Sequence, residues 1–344
     1  IDSPSLIVSL KYGEADFFRF LDLNPLFFHG TQRKLIEFQT RREYEGMGEF
    51  PAFTGWLYEH YLRALRDGGA RIAGCYVLQA GGWSPWSRFA YCGDRSIWNE
   101  LNAAVTAQIW RGESVEQAIR FWAAQSLPAA SDPDSLLAFL HHADAAIERG
   151  LYIRAFAERP VYFRRVRIPP LIWVFWRDVT ATGIVALLHR HLVNDRAAAV
   201  AEGHQAVAHV EAMCALAPGL GLPLEDLEFQ LDTFRLLAFA REALLGLDTP
   251  DTWRAIAHLL PAYQDRYPNG YRFAFGPSPL RGVSRLVPIG FRLALRSRSR
   301  YRLRDRLLLS APVSRGKRWL AGQVAGSLPV FANQKGMSAD TLLR

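Results

Sequence analysis

Two carboxylates in the first fifty residues, Asp16 and Glu43, each follow a short apolar run by a few positions, SLIVSL ahead of Lys11 and KLIEF ahead of Gln39. Runs this short, rich in Leu and Ile and bounded by glycine or polar residues, read as strands. Carboxylates just past strand ends stand where a barrel enzyme presents its acids and bases. Lys11 adds a cation that would keep nearby carboxylates ionised and could fix an anionic substrate. Each residue also has a plainer reading. Asp16 suits a turn, Lys11 a strand-end surface lysine, and the charged run Arg41, Arg42, Glu43, Glu45 a solvated face. Arg41, Arg42 and Arg88 could orient a carboxylate through their planar forks or pair with neighbouring acids. Trp83 and Trp86 follow Gly81 and Gly82 in the loop GGWSPWSRF, where ring faces would stack on sugar CH groups or pack into a core. His29 stands alone and is assigned a structural role.

The elements that must position these residues are three predicted strands near residues 5–12, 34–39 and 70–79, followed by the helix-like stretch SIWNELNAAVTAQIWRGESVEQAIRFW. From Pro128 the character changes. SDPDSLLAFLHHADAAIERG opens with a Ser/Asp cap and Pro, and amphipathic stretches follow near 179–193, 195–217, 224–246 and 250–264. Asp195, Asp248 and Asp251 read as helix-start residues, and Pro218, Pro223 and Pro268 as connections. The division is therefore residues 1–127, then a helical domain over 128–344.

Residues in the first part carry a family resemblance. Lys11, Gly13, Asp16 and Phe17, then Glu37, Phe38 and Gln39, then Glu43, Tyr44 and Gly46 form a pattern that resembles the family 67 glycoside hydrolases, the α-glucuronidases. It extends through IAGCYVLQAGGWS and the following helix, roughly the first third of the chain. The resemblance implies that residues 1–127 are the C-terminal portion of a (β/α)8 TIM barrel, its last three strands, followed by an all-helical domain that helps form a homodimer. It also implies that Asp16 and Glu43 activate the hydrolytic water in an inverting, α-glucuronidase-like reaction, and that Lys11 holds the uronate carboxylate. Arg41, Trp83 and Trp86 would complete the substrate site. The proton donor would lie on an earlier strand, since Glu14 shares the turn of Asp16 and Glu37 lies mid-strand. The chain is then expected to be the C-terminal part of a longer protein. The turn EYEGMGEF and the loop GGWSPWSRF depart from the family's usual pattern, so the resemblance speaks to the chemistry more than to the substrate. Relatives often act on imported oligosaccharides inside the cell, which favours a cytoplasmic setting.

Composition fits a folded protein of one or two cores: 344 residues, 50% hydrophobic. Cys75, Cys92 and Cys214 are odd in number and widely spaced, with no CxxC, so neither a disulfide framework nor a structural zinc site is expected. No cofactor is implied, because two carboxyl groups suffice for glycoside hydrolysis. The apolar runs IPPLIWVFW and GIVALL are too short for a membrane span, and no transmembrane segment is expected. Charge is uneven. Twelve Arg and two Lys against Asp305 and Asp340 give residues 281–344 a net charge of +12, while the other 280 residues sum to about −4 within the chain's +8. RSRSRYRLRDR at 296–306 is the centre of this tail and could meet a polyanion, an acidic polysaccharide being the best fit to the enzyme reading; a solvated basic helix is the alternative. The expected partner is therefore an oligosaccharide or polysaccharide substrate. The rival readings are a non-catalytic carbohydrate-binding or polyanion-binding protein on a barrel scaffold.

Overall fold

The computed structural model describes residues 5–14, 18–42, 45–46, 49–78, 97–128, 132–158, 161–163, 166–168, 173–175 and 178–275, with Pro312 and Arg315. Asp16, Glu43, Trp83, Trp86, Arg88 and the basic run at 296–306 lie outside the described residues. The chain is a mixed α/β protein, rich in helix with small sheets, and it divides into two compact units. One is Ile1–Arg149 with Gln205–Asp232, and the other is Gly150–His204 with Thr233–Arg344.

In the first unit, β1 (Ile7–Lys11), β2 (Arg33–Gln39) and β3 (Ile72–Leu78) form a parallel sheet in that order. Strand β2 shows why: Lys34, Ile36 and Phe38 are buried while Leu35 and Glu37 between them are half-buried, the period of two that a sheet covered on one face demands. The covering helix is α1 (Gly55–Asp67), which links β2 to β3 and buries Tyr58, Tyr61, Leu62 and Leu65, one face at helical spacing. Tyr12, Phe38, Tyr58 and Tyr61 form one aromatic cluster with ring centroids 4.3 to 5.9 Å apart, a range that favours tilted and offset pairs. Asn102 joins α1 to the next helix. Its side-chain oxygen accepts from the Thr54 amide at 3.0 Å, and its nitrogen donates to the Ala52 carbonyl at 2.8 Å.

Helices α2 (Ile97–Arg111), α3 (Val115–Ser126) and α4 (Pro133–Leu151) follow. Helix α3 starts on a reciprocal capping box between Ser114 and Gln117. Helix α4 starts on Asp132, whose carboxylate accepts from the amides of Asp134 and Ser135.

The second part of the chain is not all-helical. After α5 (Arg154–Ala157) come β4 (Val161–Phe163) and β5 (Val166–Ile168), which pair antiparallel, then β6 (Val174–Phe175) and β7 (Asp178–Ala181). Helices α6 (Gly183–Leu192), α7 (Arg196–Leu220), α8 (Glu225–Leu245) and α9 (Pro250–Arg266) precede β8 (Arg272–Phe275), which pairs parallel to β7. Residues 160–175 are dense in Val, Ile, Phe, Tyr and Trp and broken by Pro160, Pro169 and Pro170. Such residues favour a pleated surface, and the prolines deny a continuous helix. Pro218 is likewise not a connection. It lies within the last turn of α7, and the chain turns at Gly221 with φ 66°, a left-handed conformation suited to glycine.

In this unit Arg241 is a fully buried organiser. Its guanidinium donates to the carbonyls of Ala199, Gly150 and Tyr152 at 2.8 to 3.0 Å and lies 5.2 Å from the Trp173 ring centroid. Asp178, 1% exposed, pairs with Arg272 across β7 and β8 at 3.0 Å.

Candidate active site

Of the residues singled out in the sequence, Lys11 ends β1 and Arg41 follows β2 by two positions, while Asp16, Glu43, Trp83 and Trp86 fall outside the described residues. Lys11 is the last residue of β1 and lies in register with Glu37, which in turn lies in register with Tyr76 of β3. Lys11, Glu37 and Tyr76 thus make one row across three parallel strands. The Tyr76 hydroxyl donates to Glu37 Oε2 at 2.7 Å and lies 2.8 Å from Ser9 Oγ. This polar row occupies the side of the sheet away from the aromatic cluster, because alternate residues of a strand point to opposite faces.

Beyond β1 the chain turns out and back. Asn24 N donates to the Tyr12 carbonyl at 2.9 Å, Gly13 bridges Leu23, and Glu14 N donates to Asp22 O at 3.1 Å. Asp16 belongs to this excursion by sequence. The returning segment packs close, and a Cβ at Gly13 would meet the Leu21 side chain, Cδ1 at 2.7 Å, which would have to shift. The returning segment is pinned three times. Tyr12 donates to Phe18 O at 3.2 Å, Arg19 makes a forked contact with Asp144 and reaches Glu148 at 3.0 Å, and Tyr61 donates to Leu21 O at 2.7 Å.

Beyond β2, Tyr58 clamps Gln39 by accepting from its amide at 3.2 Å and donating to its carbonyl at 2.7 Å. Burial pushes the Tyr58 phenol up to about 12, so it stays a donor. Thr40 donates to Asn99 of α2 at 2.8 Å. Arg41 and Arg42 are 6% and 1% exposed and Glu45 is 2% exposed, so these three side chains are buried and do not form a solvated face. Arg42 Nε lies 2.8 Å from Glu45 Oε1, and the Glu45 amide donates to the Arg42 carbonyl at 2.9 Å. Gly46 follows with φ 66°, a conformation that side chains resist.

The same Glu45 oxygen lies 3.9 Å from Arg19 Nε. Burial opposes the charge on both guanidinium groups, but the carboxylates outweigh it, Asp144 and then Glu45 at Arg19 and Glu45 at Arg42, and raise both above the ordinary arginine value. The sequence left Arg42 either to a substrate carboxylate or to a neighbouring acid, and its Nε lies 2.8 Å from Glu45 Oε1. Sequence reasoning overlooked Arg19, Asp144 and Glu148. The i,i+4 spacing of Asp144 and Glu148 marks a shared helix face, but nothing local joins them to an arginine 125 residues away.

Among the described residues there is no group of three or more His, Cys, Asp or Glu that could hold a metal ion. None of their helices is long and apolar enough to cross a membrane. Comparison with family models, curated proteins and solved structures returned no match.

Proposed function

We propose that this chain is the C-terminal part of a glycoside hydrolase barrel that acts, in an inverting α-glucuronidase-like manner, on uronic acid-bearing oligosaccharides. The observation that carries this reading is the parallel arrangement of β1 and β2 with α1 leading on to β3. It gives the segments containing Asp16 and Glu43 a common origin at the C-terminal ends of neighbouring strands, where barrel enzymes do their chemistry.

In this reading Asp16 and Glu43 deprotonate and orient the attacking water, and Lys11 and Arg41 hold the substrate carboxylate. Trp83 and Trp86 stack on the sugar. An inverting site needs a second, protonated carboxyl on the far side of the glycosidic bond. Glu37 is a poor candidate, since its carboxylate already accepts from Tyr76 within the sheet row; the donor would come from a strand outside β1–β3. Homodimerisation through the helical part and capture of acidic polysaccharide by the basic tail are the partner relationships that accompany this reading.

Lys11→Ala tests the substrate class. Turnover of uronate-bearing oligosaccharides is expected to fall at least tenfold more than turnover of neutral ones, as for loss of a charge-assisted contact of about 1.5 to 3 kcal/mol. Equal loss on both removes the uronate assignment.

A further inference from the structure

His142 on α4 and His209 on α7 meet within one compact unit, 67 residues apart in sequence. Their Nδ1 atoms are 2.9 Å apart and their ring centroids 5.2 Å apart, and both residues are half-buried. With a ring centre about 1.15 Å behind each nitrogen, these distances set the two Nδ1 atoms almost head-on, sharing a single proton. We propose that this pair is a metal site, in which a divalent cation of the Zn²⁺ class takes the place of the shared proton and ties α4 to α7. Such a site stands apart from the hydrolase reading.

Two imidazoles on one tetrahedral Zn²⁺, with Zn–N about 2.05 Å, stand with their nitrogens about 3.3 Å and their ring centres about 5.2 Å apart. The His142 and His209 centroids already have that separation. Each ring therefore pivots about its own centre, opening the Nδ1 to Nδ1 distance by about 0.4 Å, while the helices stay in place. The pivot needs space beside the rings. Arg149 of α4 donates to Gln205 Oε1 of α7, so the helices run antiparallel, and between that contact and the histidines stand Ala145, Ala146 and Ala206. Alanines offer one side-chain carbon each and leave room for water on the ion.

Ligation needs both Nδ1 lone pairs. The imidazole that holds its proton on Nδ1 gives it up to solvent and takes one on Nε2, so both rings stay neutral and no net proton is released. Burial, then the Arg149 and His142 charges, lower the His209 pKa from its ordinary value, so at pH 7 a second proton does not compete with the metal. Arg149 also repels the cation. Among the described residues no third His, Cys, Asp or Glu joins the pair, so the other coordination positions belong to water, and the affinity falls below that of a closed four-ligand site. Imidazole suits Zn²⁺, Cu²⁺ and Co²⁺, whereas Mg²⁺ and Ca²⁺ take oxygen ligands and should not bind here.

The test is titration of the full chain with Zn²⁺ by calorimetry and with Co²⁺ by visible absorption, which strengthens when Co²⁺ passes from six-coordinate water to a tetrahedral site. His142→Gln and His209→Gln keep a polar side chain and remove the imidazole, and each should weaken one equivalent of Zn²⁺ by at least about tenfold and abolish the Co²⁺ band. His204→Gln is the control, because that imidazole is paired with Glu242 at 2.7 Å elsewhere on α7; it should leave the equivalent unchanged. A parent that binds no Zn²⁺, an equivalent that survives in either of the first two variants, or one lost in the control overturns the site. Binding without the tetrahedral Co²⁺ band overturns its geometry. If the variants do not fold, amide exchange of the parent decides: Zn²⁺ should slow residues 139–146 and 206–213 by about tenfold, and no slowing there overturns the tie between the helices.

Discussion

Arg42 and Glu45 form an ion pair at 2.8 Å with side chains 0% and 1% exposed, one turn past the end of β2. A pair taken so far out of water is a poor source of net stability, because desolvation offsets most of the Coulombic gain. Its effect appears when one partner is removed.

Arg42→Met is therefore expected to lower unfolding free energy by about 3 to 5 kcal/mol, leaving the Glu45 carboxylate buried without its nearest cation. Arg42→Met combined with Glu45→Leu should recover much of that loss. Urea denaturation of the three proteins checks this, and a single-variant loss below about 1 kcal/mol would contradict a tightly held pair.

His189 gives the second unit a pH dependence. Its ring is fully buried against Phe156 at a centroid distance of 4.0 Å, and Nδ1 lies 2.8 Å from Val185 O. Burial pushes the imidazole down to about 4, with the Arg241 charge adding to the effect against the backbone hydrogen bond. The unfolded chain binds this proton below its ordinary value of about 6.5, so the unfolded state carries more protons between the two values. Stability from this group is complete above pH ~6.5 and is lost as the pH falls towards ~4, by roughly 3 kcal/mol. Denaturation midpoints at pH 7 and pH 4.5 should differ more in the parent than in His189→Gln. An identical pH dependence in both would refute the assignment.

The basic tail makes a separate, salt-dependent prediction from sequence. Changing Arg296, Arg298, Arg300 and Arg302 to Gln should weaken retention on heparin and reduce the slope of log affinity against log salt by about three to four. Hydrolysis of a short oligosaccharide should be unaffected. Retention unchanged by the four substitutions would mean that the arginines are solvated and idle.

The parts of this molecule legible in the sequence are those set by local rules. Strands β1 to β3 announce themselves through short runs of Leu, Ile and Phe, and β2 adds the alternation that buries Ile36 and Phe38. Asp132 and Asp195 cap helices as their position suggested, Asp195 accepting from the Ala198 amide at 2.8 Å. What escaped depends on distant partners or on local signals that compete. Strands β4 to β8 are two to four residues long, too short to impose a period among strongly helical neighbours. At Pro218 the turn signal was real but two residues early: the proline gives up one i→i−4 hydrogen bond inside α7, and the helix ends at Leu220. The Arg19 junction spans more than a hundred residues of chain, and charged residues in such a run read as surface until the fold buries them.

The central claim is that Asp16 and Glu43 together activate water on a uronate glycoside. Its most direct test is the release of free uronic acid from a uronate-bearing oligosaccharide by the full-length polypeptide, with Asp16→Ala and Glu43→Ala measured alongside. Turnover by the parent and a fall of at least about a hundredfold in kcat for each variant, as for loss of a general base, is the expected result. Turnover that is absent in the parent, or that survives undiminished in either variant, would contradict it.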